Sequence, residues 1–464
     1  MINRRHFFKQ ASASVLSSAA IMAHPAAITS HAANTSGYKA LVCVFLLGGL
    51  DGHDVLLPYD SASYDAFANI RQALIATQGA NRQRANLKPL VPRTDTVLAS
   101  RQIALPPEMP NVKSLFDRGD AAIISNVGPL IEPVTRTTFQ SSGAKLPPRL
   151  FSHNDQQATW QASAPEGAQF GWGGLFADAV LAAGANASRQ EFTTITSGEF
   201  GPLLSGRLSS PYTFSTDGPA ELFLLADLKQ TDLDPERRDL LEAIRQTLGS
   251  PTLDGAHILE RDMVRAIDGG LRTNDLFNSA RSRAASFNAS FTGPLGAQLR
   301  AVAETISLRS ELFASRQIFF VGVGGLDTHS AQATTLPALL AQIDAGIGAF
   351  HAAMGELGLE NDVTLFTASD FGRSLVVNGN GTDHGWGGHQ FAVGGAVNGG
   401  NIYGSLPPPA VGHQADTGNG RIIPSVSVEE YAAKLGSWFG LSEGELNASL
   451  PNLGNFSRSG LDFI

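Results

Sequence analysis

Cysteine is almost missing from this chain of 464 residues, which has only Cys43. One thiol closes no intrachain disulfide, so stability has to come from the core and from any bound metal. Cys43 lies in an apolar run and reads as a small buried hydrophobe rather than a reactive thiol. Charge is scarce too, at 16% of residues, with a formal net charge of −9. No Lys/Arg cluster stands out beyond the N-terminus, so the electrostatic footprint of a nucleic-acid binder is missing. Nothing after the first 33 residues resembles a transmembrane helix, and neither an internal repeat nor a low-complexity tract occurs. What is present is 43% hydrophobic residues, enough for a large core. The 49 glycines and 24 prolines are spread along the chain and suit loops around a sheet rather than a fibre.

The N-terminus carries the clearest local signal. Asn3-Arg4-Arg5-His6-Phe7-Phe8-Lys9 is followed by a weakly apolar stretch, Ala11 to Ala27, and then by Ser30-His31-Ala32-Ala33. A basic start, a short apolar centre and a small-residue end make an export signal, too short and polar to be a stable membrane span. The paired arginines before Phe-Phe-Lys resemble the twin-arginine type, which exports folded proteins. Cleavage is expected near Ala32 or Ala33. Residues 1–33 hold Arg4, Arg5 and Lys9 and no acidic side chain, so without those three charges the remainder carries −12. The expectation is a periplasmic or secreted protein, a client of the twin-arginine machinery and not an integral membrane protein.

Continuous apolar runs recur and end in glycine or polar residues: Tyr38 to Leu47, Ala121 to Val127, Gln317 to Val323, Val363 to Ala368 and Phe391 to Val397. Runs without polar alternation suit strands buried on both faces, as in a parallel sheet covered by helices. Helical spacing marks Gln156–Ala162, Gly174–Ala183, Pro235–Leu248, Leu295–Ala314, Leu336–Leu357 and Val428–Phe439. Strands alternating with helices predict a doubly wound α/β sheet. We read residues 34–464 as one domain with insertions at about 60–120 and 205–295, the latter mostly helical.

In open α/β sheets, ligands bind outside the carboxyl ends of the strands. The polar residues just after the apolar runs are Asp51 and His53, Asp327 and His329, Asp370 and Arg373, then Asp383, His384 and His389. Imidazole and carboxylate gathered there are the donors that a borderline or hard divalent cation takes. One or two such ions activate a nucleophile and stabilise a departing oxygen. Each residue also has a plain structural role open to it: Asp51 in a turn before Gly52, Asp370 as a helix cap, Arg373 in a salt bridge as readily as on an oxyanion. Ser152 opens a helix, where a hydroxyl is either a cap or a nucleophile with backbone donors close by. His153 is open as ligand, base or support.

At these residues the sequence resembles the family called domain of unknown function 1501. The matching stretches are Phe45 to Gly52, Phe151-Ser152-His153, Gly325 to His329, Asp370 to Arg373, Gly379 to Gly385, and Gly394 to Gly400 with Tyr403-Gly404. That family is similar to the alkaline phosphatase and sulfatase superfamily. The resemblance implies an alkaline-phosphatase-like three-layer sandwich, a central mostly parallel sheet with inserted loop and helical segments. It implies a divalent-metal site, with zinc first and magnesium, manganese or calcium as alternatives. Asp51 would be an early ligand and Ser152 would stand in the nucleophile's place. Asp327 and His329 would share one metal, with Asp370 and His384 among the later ligands. Phe371 stands where such phosphatases carry a histidine, which leaves one ligand absent or replaced, with Asp383 the candidate. Two functional expectations follow: hydrolysis of a small-molecule or polymer phosphate or sulfate ester, or a non-catalytic exported binding or assembly protein on the same fold.

Overall fold

The computed structural model describes residues 32–464 except 95–97, 99, 142, 199–200, 217 and most of 220–257. The leader and the helix expected at Pro235–Leu248 therefore lie wholly or mostly outside the described residues.

The strands of the main sheet are β1 (Lys39–Leu46), β2 (Ala121–Gly128), β3 (Thr194–Thr196), β4 (Tyr212–Ser215), β5 (Gly218–Pro219), β6 (Arg316–Val323) and β7 (Val363–Ser369). A hairpin of β8 (Arg373–Val377) and β9 (Thr382–His384) stands apart from the sheet, to which β10 (Gly388–Val393), β11 (Ile402–Gly404) and β12 (Val426–Ser427) return. The order is β11-β2-β10-β7-β1-β6-β3-β4-β5, with β12 also on β2. Pairing is parallel except that β10 runs against both β2 and β7, and β5 against β4. The mostly parallel sheet agrees with the apolar runs; the reversed β10 in its middle was not legible in them.

Helices that bear on the argument are α1 (Pro110–Arg118), α2 (His153–Ala162), α3 (Trp172–Ala182), α4 (Gly293–Ser307), α5 (Gln332–Leu357) and α6 (Val428–Phe439). Side chains alternate across a strand, and β1 divides accordingly between two cores. Ala40, Val42, Val44 and Leu46 pack with α1, α4 and α5, through residues such as Phe116, Leu299 and Phe350. Leu41, Cys43 and Phe45 pack with α2, α3 and α6, through Trp160, Trp172 and Tyr431. A strand with both faces covered has no polar side to show, which is why its sequence never alternates. Three layers follow from this division.

Two expected insertions differ in detail from their sequence reading. A separate three-stranded sheet of Leu57–Pro58, Lys88–Pro89 and Ile103–Leu105 overlaps the segment expected at about 60 to 120, with Ser61–Ile70 and Gln72–Gln78 as helices, but that segment ends in α1, which belongs to the main core. Pro110 starts α1 where a missing N–H costs nothing. The Asp344 carboxylate of α5 accepts from the N–H groups of Asn111 and Val112, tying the two helices together. Residues 205–295 begin with β4 and β5 rather than with helix, extending the sheet at that edge.

Candidate functional site

The carboxyl ends of β1, β6 and β7 lie side by side in parallel register, Leu46 beside both Val323 and Ser369. Whatever follows these strands therefore emerges on one edge. Gly48 sews the edge together: its N–H donates to the Asp370 carboxylate at 3.1 Å and its carbonyl accepts from Arg373 at 2.9 Å. Its φ is +109°, and a Cβ there would stand 2.3 Å from the Asp327 nitrogen, so only glycine fits.

The structure brings Asp327, His329, His384 and His153 together. Asp327 Oδ1 lies 3.1 Å from His329 Nε2 and 3.2 Å from His384 Nε2, and the two imidazole nitrogens are 2.7 Å apart. The other carboxylate oxygen is 3.4 Å from His153 Nε2. Ligand atoms of His153, Asp327 and His384 all fall within 4.8 Å of one another. Each histidine is held from behind. His384 Nδ1 donates to the Phe151 carbonyl at 2.7 Å, a carbonyl aimed by the left-handed backbone of Phe151, φ +72°. His153 Nδ1 lies 2.7 Å from Asp370 Oδ2 and His329 Nδ1 lies 3.5 Å from Asp383. His384, whose Nδ1 is so occupied, presents the lone pair of Nε2, the arrangement that metal-ligating histidines use.

The donor set fits a divalent cation. Ligands about 2.0–2.1 Å from a tetrahedral zinc stand about 3.3 Å from each other, close to the 3.1 and 3.2 Å edges at Asp327, while the two imidazole nitrogens, at 2.7 Å, are closer together than that. His153 Nε2 is buried without a hydrogen-bond partner, as is Asp370 Oδ1. Polar atoms left unpaired inside a protein are rare, and here two of them adjoin the triangle's carboxylate and imidazole groups.

Electrostatics agree with this reading. The hydrogen bond to Asp370 raises the His153 pKa above the ordinary imidazole value, against the effect of burial. Burial pushes Asp327 up, but the hydrogen bond and charge of Arg373 outweigh it and hold the carboxyl below its usual range. His384 is lowered, chiefly by burial. An ionised Asp327 beside neutral His384 is the protonation state a cation requires.

Other expected members stand elsewhere. Asp51 is fully buried and gripped by Arg71 at 2.5 and 3.0 Å, with further bonds from Gln332 and the His53 N–H. Its charge is taken up by Arg71, so the expected early ligand is committed to an ion pair. Arg373, expected on an oxyanion, is buried and donates to Asp327, the Gly48 carbonyl and Thr382; it positions Asp327. Asp370 accepts at Oδ2 from Gly48, Gln157 and His153, and so supports His153 from outside the triangle. Asp383 accepts from Asn378 and orients His329. The His153 ring packs on Phe371 with centroids 4.8 Å apart. Ser152 precedes α2 without capping its backbone; its hydroxyl donates to the buried Asp155 at 3.0 Å. His53, partly buried, bonds the Gly420 carbonyl, and the buried His389 accepts from the Asn126 N–H; neither bonds a member of the triangle.

Sequence reasoning missed Arg71, Gln332, Gln157 and Arg421. Gln157 had a signal, four residues after His153 on the same helix face. Arg421 lies over the Phe151 ring at 5.2 Å, donates to the His384 carbonyl and stands 3.9 Å from Asp383. No motif marked it.

The chain matches, over residues 38–420, the model of the family described as "Protein of unknown function (DUF1501)". No curated protein matches the sequence. Solved structures with a similar arrangement include Ps i-CgsB in complex with k-i-k-neocarrahexaose, at 11% identity, 91% of this chain, 78% of that one and a TM-score of 0.37. The PsFucS1 sulfatase from Pseudoalteromonas sp. follows at 8% identity, 88% and 69% coverage and a TM-score of 0.37. The C-terminal periplasmic domain of EcEptC from Escherichia coli matches at 9% identity, 92% and 89% coverage and a TM-score of 0.32. At this distance they lend no residue role to the chain. No helix among the described residues is long and apolar enough to cross a membrane.

Proposed function

Since the chain belongs to the DUF1501 family, whose description names no activity, the chemistry must be read from its own side chains, and we propose an exported, metal-dependent hydrolase of phosphate or sulfate esters. The observation that carries this is the triangle of Asp327 Oδ1, His329 Nε2 and His384 Nε2, with edges of 2.7 to 3.2 Å. Three protein ligands leave one position open, the pattern of catalytic rather than structural metal sites. A bound divalent cation, zinc first on this ligand set, supplies Lewis-acid charge that activates a nucleophile and neutralises developing negative charge.

The chain's own groups do the rest. In this proposal Ser152 attacks the phosphorus or sulfur and passes its proton to Asp155, to which its hydroxyl is hydrogen-bonded. His153, its pKa raised by Asp370, gives a proton to the departing alcohol oxygen as the ester bond breaks. Water then cleaves the seryl ester, with both proton transfers reversed. Arg421, partly exposed at the rim, takes over the oxyanion role first expected of Arg373. Export by the twin-arginine route is proposed from Arg4-Arg5 and the following Phe7-Phe8-Lys9.

Metal analysis of the purified mature protein, with aryl phosphate, phosphodiester and sulfate esters assayed with and without EDTA, tests the reading. We expect about one ion per chain and turnover that EDTA and Ser152→Ala both abolish. Metal bound without turnover of any ester, and unchanged behaviour in Ser152→Ala, would establish the non-catalytic binding protein instead.

A further inference from the structure

A cleft of about 450 Å³ runs along α2, lined by Leu47, Asn154, Gln157, Gln161, Glu166 and glycine backbone. Its lining residue Asn154 follows His153 directly in α2. Gln157 at its wall donates to Asp370, the support of His153, and Leu47 precedes Gly48. Asn154, Gln157 and Gln161 lie on one helix, brought to one side by its 3.6-residue period.

The chemistry of this lining is specific. Three of its side chains are carboxamides, one is a carboxylate, and no Lys, Arg or His lines it among the described residues. Gln161 is the deepest of them, 2% exposed. Its Oε1 accepts from the Leu203 N–H at 3.1 Å, while its Nε2 donates to no group of the described protein. A buried amide with both N–H groups unspent, facing a cleft, is made to meet an acceptor that arrives with a ligand. Carboxamides pair with hydroxyl groups as donor and acceptor at once. The exposed Glu166, already bonded by Asn154, disfavours a second anionic group.

We propose that this cleft binds the alcohol part of the ester, and that this part is neutral and rich in hydroxyl groups, with Gln161 its buried contact. The proposal rests on the hydrolase reading for its reaction, though not for its binding chemistry. Hydrogen bonds to substrate hydroxyls discriminate strongly, because an analogue lacking them leaves buried donors unpaired.

The test compares glucose 6-phosphate and glucose 6-sulfate with 4-nitrophenyl phosphate and sulfate, on the metal-loaded mature protein. Gln161→Glu keeps the acceptor for Leu203 and removes the free donors; Gln161→Met removes both, and thermal unfolding of each checks the fold. The ratio of kcat/KM for sugar ester over aryl ester is expected to fall at least about tenfold in both variants. Fructose 1,6-bisphosphate, with its second anion, is expected to be a poorer substrate than glucose 6-phosphate, and Glu166→Gln to narrow that gap. An unchanged ratio in Gln161→Glu overturns the proposal, as does a preference of the wild type for phosphocholine over glucose 6-phosphate. Should no ester be turned over, the hydrolase reading fails by itself. Calorimetry of the same sugar esters then decides the cleft: weaker binding in Gln161→Glu upholds it, and equal binding, or none to the wild type, overturns it.

Discussion

Asp51 offers the sharpest division between a ligand and a structural ion pair. Asp51 and Arg71 are 0% and 1% exposed, joined by two hydrogen bonds. Arg71 donates further to the carbonyls of Ser374 and Leu375, and Gln332 reaches Asp51 from the other side. Asp51→Asn leaves a guanidinium charge buried without its partner, and Arg71→Met leaves a carboxylate so. Breaking a buried pair from one side costs about 3–5 kcal/mol, whereas removing both charges is often close to neutral. The double variant Asp51→Asn/Arg71→Met is therefore expected to recover at least half of the loss of either single one. Urea unfolding at pH 7 measures the three stabilities, and metal analysis of each protein runs beside it. A sign follows for pH. Burial raises the Asp51 pKa, but the charge and hydrogen bonds of Arg71 overcome this and lower it from 3.8. A carboxyl lowered in the folded state stabilises above the unfolded value and loses that contribution as pH falls through the folded one. The pair is thus fully effective at neutral pH and is lost only below about pH 4. Two outcomes refute the reasoning: losses that simply add in the double variant, or metal lost in Asp51→Asn while Arg71→Met retains it, which would make Asp51 a ligand.

Three further outcomes are expected. Burial pushes His53 down to about 4 and His389 to about 3, while in the unfolded chain both titrate near 6.5. Stability is then complete above pH 6.5 and falls below it by about 1.4 kcal/mol per pH unit for each. Unfolding midpoints in urea should drop between pH 7 and 5, with a shallower slope in His389→Gln; a flat profile contradicts the burial argument. Gly48→Ala puts a methyl group 2.3 Å from the Asp327 nitrogen in a backbone region unfavourable to alanine, so divalent-metal affinity should weaken by at least about tenfold; a metal titration within twofold of wild type would show the strand ends to be pliant. Asp344→Ala leaves the Asn111 and Val112 N–H groups at the start of α1 without their acceptor and should cost about 1–3 kcal/mol in the same urea assay. A loss under 0.5 kcal/mol would show that water replaces the carboxylate there.

Much of the frame was legible. The runs at Tyr38–Leu47, Ala121–Val127, Gln317–Val323 and Val363–Ala368 are strands, and the polar residues behind three of them do reach one edge. The reversed β10 was hidden because a central strand is apolar whichever way it points. At the site, the chemistry of Asp327, His329 and His384 could be guessed from residue type and position, but the division of labour among the acidic groups could not. Asp51 and Asp327 follow strands in the same manner. One faces Arg71, from the turn between two helices twenty residues on, and the other faces two imidazoles. Nothing local to either distinguishes them.

The sequence alone determined which segments are buried on both faces and which residue types gather at the strand ends, since both follow from the short periods of the backbone itself. Tertiary structure decided which of those residues meet. Arg71, Gln157, Arg373 and Arg421 come from elements whose approach depends on packing across the whole sheet. A hydrogen bond or ion pair is settled by a few tenths of an ångström that no pattern along the chain records.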